Sequence, residues 1–372
     1  MFSSASCAPT GIRTPVLALK GLRPGPLDDG GNAKGILSLP GIGVKFFHKV
    51  SGVAVWRCGG VAVWRSYLAP SPPRHYNSLM EIRPYQPHDA RALVHSYNAL
   101  HERPFTLAEF RTSMAALLAA NGRIWTILSP DSQPVGYATV EPVPGLPGLA
   151  DLDGLIDPHW QRRGLGSRLL GHLCRKLTGG PIHQLSHSLT DLDSPAAHFL
   201  RYHRFQLSHQ ESHLLFTAWD DLPLPVPPSP TCRVAPLAER AEAMALFSRL
   251  YEASFAPHPW HQPYSPAELE ATLQATADMR FLWVDKQPVG VVWLHYPAPG
   301  EAEIEPMGVA PEMQGWGYGR YLLLDTLHYL RQRQIERLRL GVWATNKVAL
   351  SLYEQIGFRH NYARSYLTLV LH

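Results

Sequence analysis

The chain says the same thing twice. Gln133-Pro-Val-Gly136 returns as Gln287-Pro-Val-Gly290. Ile156-Asp-Pro-His-Trp-Gln161-Arg-Arg-Gly164-Leu-Gly166 returns as Val309-Ala-Pro-Glu-Met-Gln314-Gly-Trp-Gly317-Tyr-Gly319, and Phe205 returns as Phe358. The matches keep their order, and their spacing is far longer than the roughly 20–50 residues of a solenoid repeat. Two copies of one domain are therefore expected. Between them lies Leu222-Pro-Leu-Pro-Val-Pro-Pro-Ser-Pro230, whose prolines favour a stiff polyproline II spacer. The spacing sets the first copy at 80–221, the linker at 222–231 and the second copy at 232–372.

Composition agrees with two globular domains: 372 residues, 45% apolar and 17% charged. Four scattered cysteines without C-x-x-C spacing argue against a disulfide framework and suit a reducing cytoplasm. No stretch approaches the roughly 18 apolar residues of a membrane span, so no membrane partner is expected. The net charge of +4 is unevenly spread. Residues 1–79 hold nine Lys and Arg against two Asp, whereas the remainder holds 25 basic and 28 acidic residues. Beyond residue 79 there is no electrostatic case for a nucleic-acid partner.

Residues 1–79 lack sustained helical or strand periodicity and carry a near-tandem repeat, Gly52–Arg57 and Gly60–Arg65. They also lack the build of a signal peptide. Gly11-Ile12-Arg13-Thr14-Pro15 is what the T-arm of a tRNA gene encodes when its complementary strand is read. The segment reads as antisense tRNA and spacer joined to a frame that starts at Met80, or as a disordered basic tail.

Each copy follows one plan. Ile82 and Val234 begin short strands, and two helices follow. The second helix opens on a capping box, Thr106-x-x-Glu109 or Ser265-x-x-Glu268. A hairpin comes next (124–128 with 136–141; 281–284 with 290–295), then a fourth strand running to Ile156 or Val309. A Gly-rich loop opens a helix with apolar residues at Leu169, Leu170, Leu173 and Leu177, or Leu322, Leu323, Leu327 and Leu330. A fifth strand, a helix and a closing strand end each copy. A meander followed by a β-loop-α-β unit predicts an α/β fold whose sheet is mixed and mostly antiparallel.

The Gly-rich loop is the chemical feature. Glycines admit close approach of a ligand, and the amides at a helix start attract anions. Gln161–Gly166 and Gln314–Gly319 are expected to hold a phosphate or pyrophosphate. A Walker A loop is excluded by the absence of Gly-Lys-Ser/Thr.

Val309-x-Pro-x-x-Gln314-x-x-Gly317-x-Gly319, with Asn346-x-x-Ala349-x-x-Leu352-Tyr353 and then Gly357-Phe358, resembles the signature of the GCN5-related N-acetyltransferases. The resemblance covers nearly all of 80–372 as two tandem domains. It implies that acetyl-CoA is the co-substrate and that a primary amine, on a small molecule or a protein N-terminus, is the acceptor. It further implies that the loop amides around Gln314, Gly315, Gly317, Tyr318, Gly319 and Arg320, after Val309, bind the CoA pyrophosphate. The first copy would do so through Gln161, Gly164 and Gly166. Splayed fourth and fifth strands would admit the pantetheine arm, with Asn346 touching it. Glu303 stands at the family's general base, with Glu305 as its stand-in. Tyr353 stands at the acid for the departing thiolate, and the Met307 amide at the thioester carbonyl.

At the same positions the first copy carries Ala150 for Glu303, Leu200 for Tyr353 and Asp193 for Asn346, with Asp151 and Asp153 each one residue out of register. Catalysis is therefore expected from the second copy, with the first degenerate. A non-catalytic acyl-CoA-binding module is the rival reading. His183 and His187, on a strand, would lie about 13 Å apart, too far for one metal, and no metal is expected at His258 and His261. The segment His258-Pro-Trp260-His261-Gln-Pro-Tyr264 makes the second copy five residues longer than the first here. It is the candidate acceptor determinant.

Overall fold

The computed structural model describes residues 80–371 apart from 102–103, 257 and 259–260, together with the two-residue strands β1 (Arg57–Cys58) and β2 (Val61–Ala62). The remainder of the 1–79 segment, and with it the reading of that segment as a misjoined frame or a tail, lies outside the described residues. The described residues from 80 onward divide into two compact units: 80–140 with 153–176, and 141–152 with 177–371.

The smaller unit holds β3 (Ile82–Pro84), α1 (Ala90–Asn98), α2 (Leu107–Ala119), β4 (Arg123–Leu128) and most of β5 (Pro134–Pro142). It also holds the end of β6 (Leu149–Ile156) and nearly all of α3 (Leu165–Leu177). The expected capping box opens α2: Thr106 Oγ1 accepts from the Glu109 amide, and Glu109 Oε2 accepts from the Thr106 amide at 2.8 Å. Leu93, Tyr97, Phe110, Met114, Ile124 and Tyr137 form its core.

The larger unit contains β7 (Gln184–Leu189), α4 (Pro195–Tyr202), β8 (Gln206–Phe216), β9 (Arg233–Ala235), α5 (Arg240–Phe255) and α6 (Pro266–Thr272). It continues through β10 (Met279–Val284), β11 (Gln287–His295), β12 (Glu301–Val309), α7 (Tyr318–Gln332), β13 (Arg337–Trp343), α8 (Lys347–Ile356) and β14 (Phe358–Val370). Its sheet runs β6-β7-β14-β8-β13-β12-β11-β10-β9. Only β6 with β7 and β12 with β13 are parallel, so the sheet is mixed and mostly antiparallel as expected.

The closing strands are exchanged. In sequence β8 ends the first copy, yet it pairs with β13 of the second from Leu338↔Phe216 to Trp343↔Glu211. β14 ends the second copy, yet it pairs with β7 of the first from Ser365↔Leu189 to Val370↔Gln184. The two exchanged strands also pair with each other along their length.

One face of the second copy's sheet carries α7 and α8. Leu322, Leu323, Leu327 and Leu330 of α7 are fully buried against Ile304, Leu338 and Leu340, each worth about 2 kcal/mol by area. The opposite face carries α5 and α6, where Phe247, Tyr251 and Leu269 pack on Phe281, Val291 and Trp293. α5 comes close to β12: a Cβ on Gly308 would stand 2.9 Å from atoms of Ser254 and Phe255. Glycine at 308 is thus what allows this approach.

Candidate active site

The second copy's Gly-rich loop folds as an open turn. Gly315 (φ 80°) and Gly317 (φ 86°) are left-handed, a conformation that side chains disfavour. A Cβ on Gly315 would meet nothing within 4 Å, so the turn borders open space. Gln314 Nε2 donates to the Val309 carbonyl at 2.9 Å. Its side chain therefore fastens the loop to the end of β12.

α7 begins without a side-chain cap. Asn346 Oδ1 by contrast caps α8 through the Ala349 amide at 3.1 Å, and Ser265 caps α6. The Tyr321 amide bonds Gly317 O at 3.0 Å, so helix geometry leaves the amides of Tyr318, Gly319 and Arg320 without intrahelical acceptors. Outward amides, a favourable dipole and room beside the glycines fit a diphosphate.

The splay is present too. β12 pairs with β13 only from Glu301↔Arg337 to Ile304↔Leu340, after which β13 continues along β8 alone. Residues 305–309 therefore have no β13 partner, which leaves a wedge at the carboxyl end of the parallel pair. Val309, Met307, Tyr318 and Tyr353 share one cluster on the α7 and α8 side. Tyr353 is buried, which pushes its phenol up to about 12, so it stays protonated through the neutral range.

Glu303 lies on the other face, opposite His295 of β11 and Arg339 of β13. Burial raises its carboxyl above the ordinary range. His213 and Arg339 pull it back, Glu211 pushes it up, and Arg364 pulls it down. Glu301 shares the face but is held by Arg337 at 3.3 Å and Arg339 at 3.4 Å. Glu305 does not continue the alternation, because the register with β11 slips between Ile304 and Met307. His295 donates Nε2–H to the Glu305 carbonyl at 2.9 Å, and burial takes its pKa to about 4.

That slip changes the alignment of the copies. β12 holds one more residue than its partner across it, so the counterpart of Glu303 in the first copy is Asp151, not Ala150. Asp151 pairs with Ser186 of β7 as Glu303 pairs with Arg339 of β13. The flanks agree: Ala150 (0% exposed) and Leu152 (8%) match Ala302 (1%) and Ile304 (3%). A register taken from sequence spacing alone turns Asp151 to the wrong face. Leu200 does occupy a buried place like that of Tyr353. The cap of α4, however, comes from Ser194, not Asp193.

The first copy's loop keeps the backbone of the second. Gln161 Nε2 donates to Ile156 O at 2.9 Å, and Gly164 has φ 78°. Arg162, at φ 61°, stands where the second copy has Gly315. His187 Nδ1 of β7 bonds the Leu152 carbonyl of β6 at 2.7 Å.

The longer segment of the second copy is half anchored. Tyr251 OH donates to Gln262 O at 3.0 Å, His261 Nε2 bonds Glu252 Oε2 at 2.8 Å, and Gln262 Nε2 donates to Pro144 O. His258 is left exposed, with its ring 4.7 Å from that of Trp343 at the end of β13. Among the described residues, no group of three or more His, Cys, Asp or Glu is placed to hold a metal.

Sequence reasoning missed Glu211 and His213 of β8 and Tyr362, Arg364 and Tyr366 of β14. Their signal was available: His209, Glu211 and His213 alternate along one strand, a pattern that puts all three on one face. Which copy's site that face belongs to depends on the exchange.

Known proteins place this architecture. Residues 90–205 and 244–358 each match the acetyltransferase (GNAT) family. A mycothiol acetyltransferase of Thermomonospora curvata is 31% identical over 258 residues, spanning 66% of this chain and 83% of that protein. One from Acidothermus cellulolyticus is 30% identical over 248 residues, spanning 58% and 74%. Among solved structures, a GCN5-related N-acetyltransferase from Sphaerobacter thermophilus shares the fold at TM-score 0.58 and 16% identity, over 79% of this chain and 96% of that one. A tandem GNAT protein of the clavulanic acid biosynthesis pathway does so at 0.54 and 17%, over 79% and 99%. With the family matched twice, over most of its length, the chain belongs to the acetyltransferase (GNAT) family and is a tandem N-acetyltransferase.

Proposed function

We propose that the second copy transfers the acetyl group of acetyl-CoA to a primary amine, with Glu303 as general base and Tyr353 as general acid. The observation that carries this reading is the uncapped start of α7 beside Gly315 and Gly317, at the mouth of the wedge between β12 and β13. The loop amides hold the diphosphate and the Met307 amide polarises the thioester carbonyl. Glu303 takes a proton from the acceptor ammonium, and the freed amine attacks the carbonyl carbon. A C–N bond forms and the C–S bond breaks. Tyr353 gives its proton to the departing thiolate, and the second proton shed by the acylated nitrogen restores the phenol. Placing both reactants side by side supplies much of the rate, and acid and base add about 10²–10⁴-fold each. The name of the relatives puts a mycothiol-type acceptor first among the amines to assay, with small amines and protein N-termini beside it. The exposed His258, against Trp343, supports assigning the longer segment to the acceptor side.

The test is release of free thiol from acetyl-CoA in the presence of an amine panel. Gly315→Glu puts a carboxylate into the open turn, and the KM for acetyl-CoA should rise about 30- to 100-fold, or roughly 2–3 kcal/mol. An unchanged KM would remove the loop from the reaction. Because burial raises the Glu303 carboxyl, the acid limb of kcat/KM should fall above the ordinary glutamate range. Activity is then present at higher pH and lost as pH drops through the raised value. Tyr353, at about 12, should add no basic limb below pH 10.

A further inference from the structure

On the face that carries Glu303, β13 presents Arg339 and then Gly341. Glycine leaves a gap there, and the exchanged strand fills it. A Cβ on Gly341 would stand 2.5 Å from Glu211 Oε1 and 3.6 Å from His213 Cε1. Glu211 is 2% exposed and His213 6%. Both are fixed by the neighbouring β14. Tyr366 OH donates to Glu211 Oε2 at 3.3 Å. The His213 ring lies flat on Tyr362, 4.3 Å between centroids and 7° between planes. His213 Nε2 is 3.2 Å from Glu211 Oε2 but out of line, and it has no hydrogen-bond partner among the described residues. A buried polar nitrogen left in that state costs about 1–3 kcal/mol, so its retention calls for an explanation.

We propose that His213 and Glu211, which belong in sequence to the first copy, are positioning residues of the second copy's acetyl-transfer site: His213 steadies the ionised Glu303, and Glu211 orients His213. The proposal rests on the reading of Glu303 as the base.

The surroundings single out His213. On β11, His295 is committed to the Glu305 carbonyl. On β12 itself, Glu301 is shared between Arg337 and Arg339 of β13, and Glu305 lies beyond the register slip. On β14, Arg364 is opposite Glu211 in register, and Tyr362 is stacked on His213. From α5, Ser254 and Phe255 pack over Gly308. Of the neighbours that pull the Glu303 carboxyl down, His213 acts most strongly, and Glu211 opposes it.

The test uses the full chain and the pH profile of kcat/KM. His213→Leu should move the acid limb up by about one pH unit and lower kcat about tenfold at pH 7, with the KM for acetyl-CoA within twofold of wild type. His213→Gln, which keeps a donor, should recover most of the rate. Glu211→Gln should move the limb the other way. Should His213→Leu fold poorly, the limb of His213→Gln decides, and it must then lie measurably above wild type. A wild-type profile and rate in the soluble His213 variants would overturn the proposal while leaving Glu303 as base. An unchanged rate in Glu303→Gln would instead overturn the reading beneath it.

Discussion

Glu303→Gln should lower kcat for acetyl transfer about 10²–10⁴-fold, or roughly 3–5 kcal/mol of barrier, while acetyl-CoA binds as before. The amide keeps the size of the carboxylate and leaves the backbone register with His295 and Arg339 unchanged, but it cannot take a proton. CoA affinity should survive because the loop after Val309 lies on the opposite side of the sheet from Glu303. Adding Tyr353→Phe should cut the remaining rate further, since a phenol held at about 12 is a proton reservoir that phenylalanine lacks. Two measurements check this: calorimetric binding of acetyl-CoA and thiol release with a competent amine. If thiol release in the double variant equals that of wild type, the catalytic assignment is wrong and the rival acyl-CoA-binding module regains ground.

A chain of residues 232–372 alone should turn over at no more than about a hundredth of the full-length rate. That fragment carries the loop, Glu303 and Tyr353, so a self-sufficient second domain would keep its activity. The exchange denies it that independence. β13 would lose the whole ladder it makes with β8, from Leu338↔Phe216 to Trp343↔Glu211, and β14 would lose both β7 and β8. An unpaired edge invites association with other chains. Co-expression with residues 80–231 should restore both solubility and thiol release. Full turnover from the fragment alone would show that β14 can take the place of β8 without loss.

Much of each copy was legible because the signals were local. The capping boxes at Thr106 and Ser265 form as read, and the four leucines of each central helix are buried as their spacing implies. The loop at Gln314–Gly319 follows from its glycines and its place between a strand and a helix. Gln314 and Asn346 were legible as positions rather than as contacts: one side chain pins the turn, the other caps α8. Two features escaped because they are properties of pairing. The extra residue at Glu305–Pro306 looks like any strand residue until the partner strand is laid beside it, and without it Asp151 counts one place out. The closing strands carry the alternation any closing strand would carry, and nothing in Gln206–Phe216 names the neighbour it will choose.

The strand exchange also orders events during synthesis. β7 ends at Leu189, and the strand that must cover its edge begins at Phe358 and runs to Val370. The amino-terminal half therefore emerges from the ribosome with an open edge that β14 closes only after the other elements of the second copy have been made. Such long-range pairing is slow and leaves sticky intermediates waiting. A stop codon just before Phe358 should thus injure the half encoded first as much as the half it truncates.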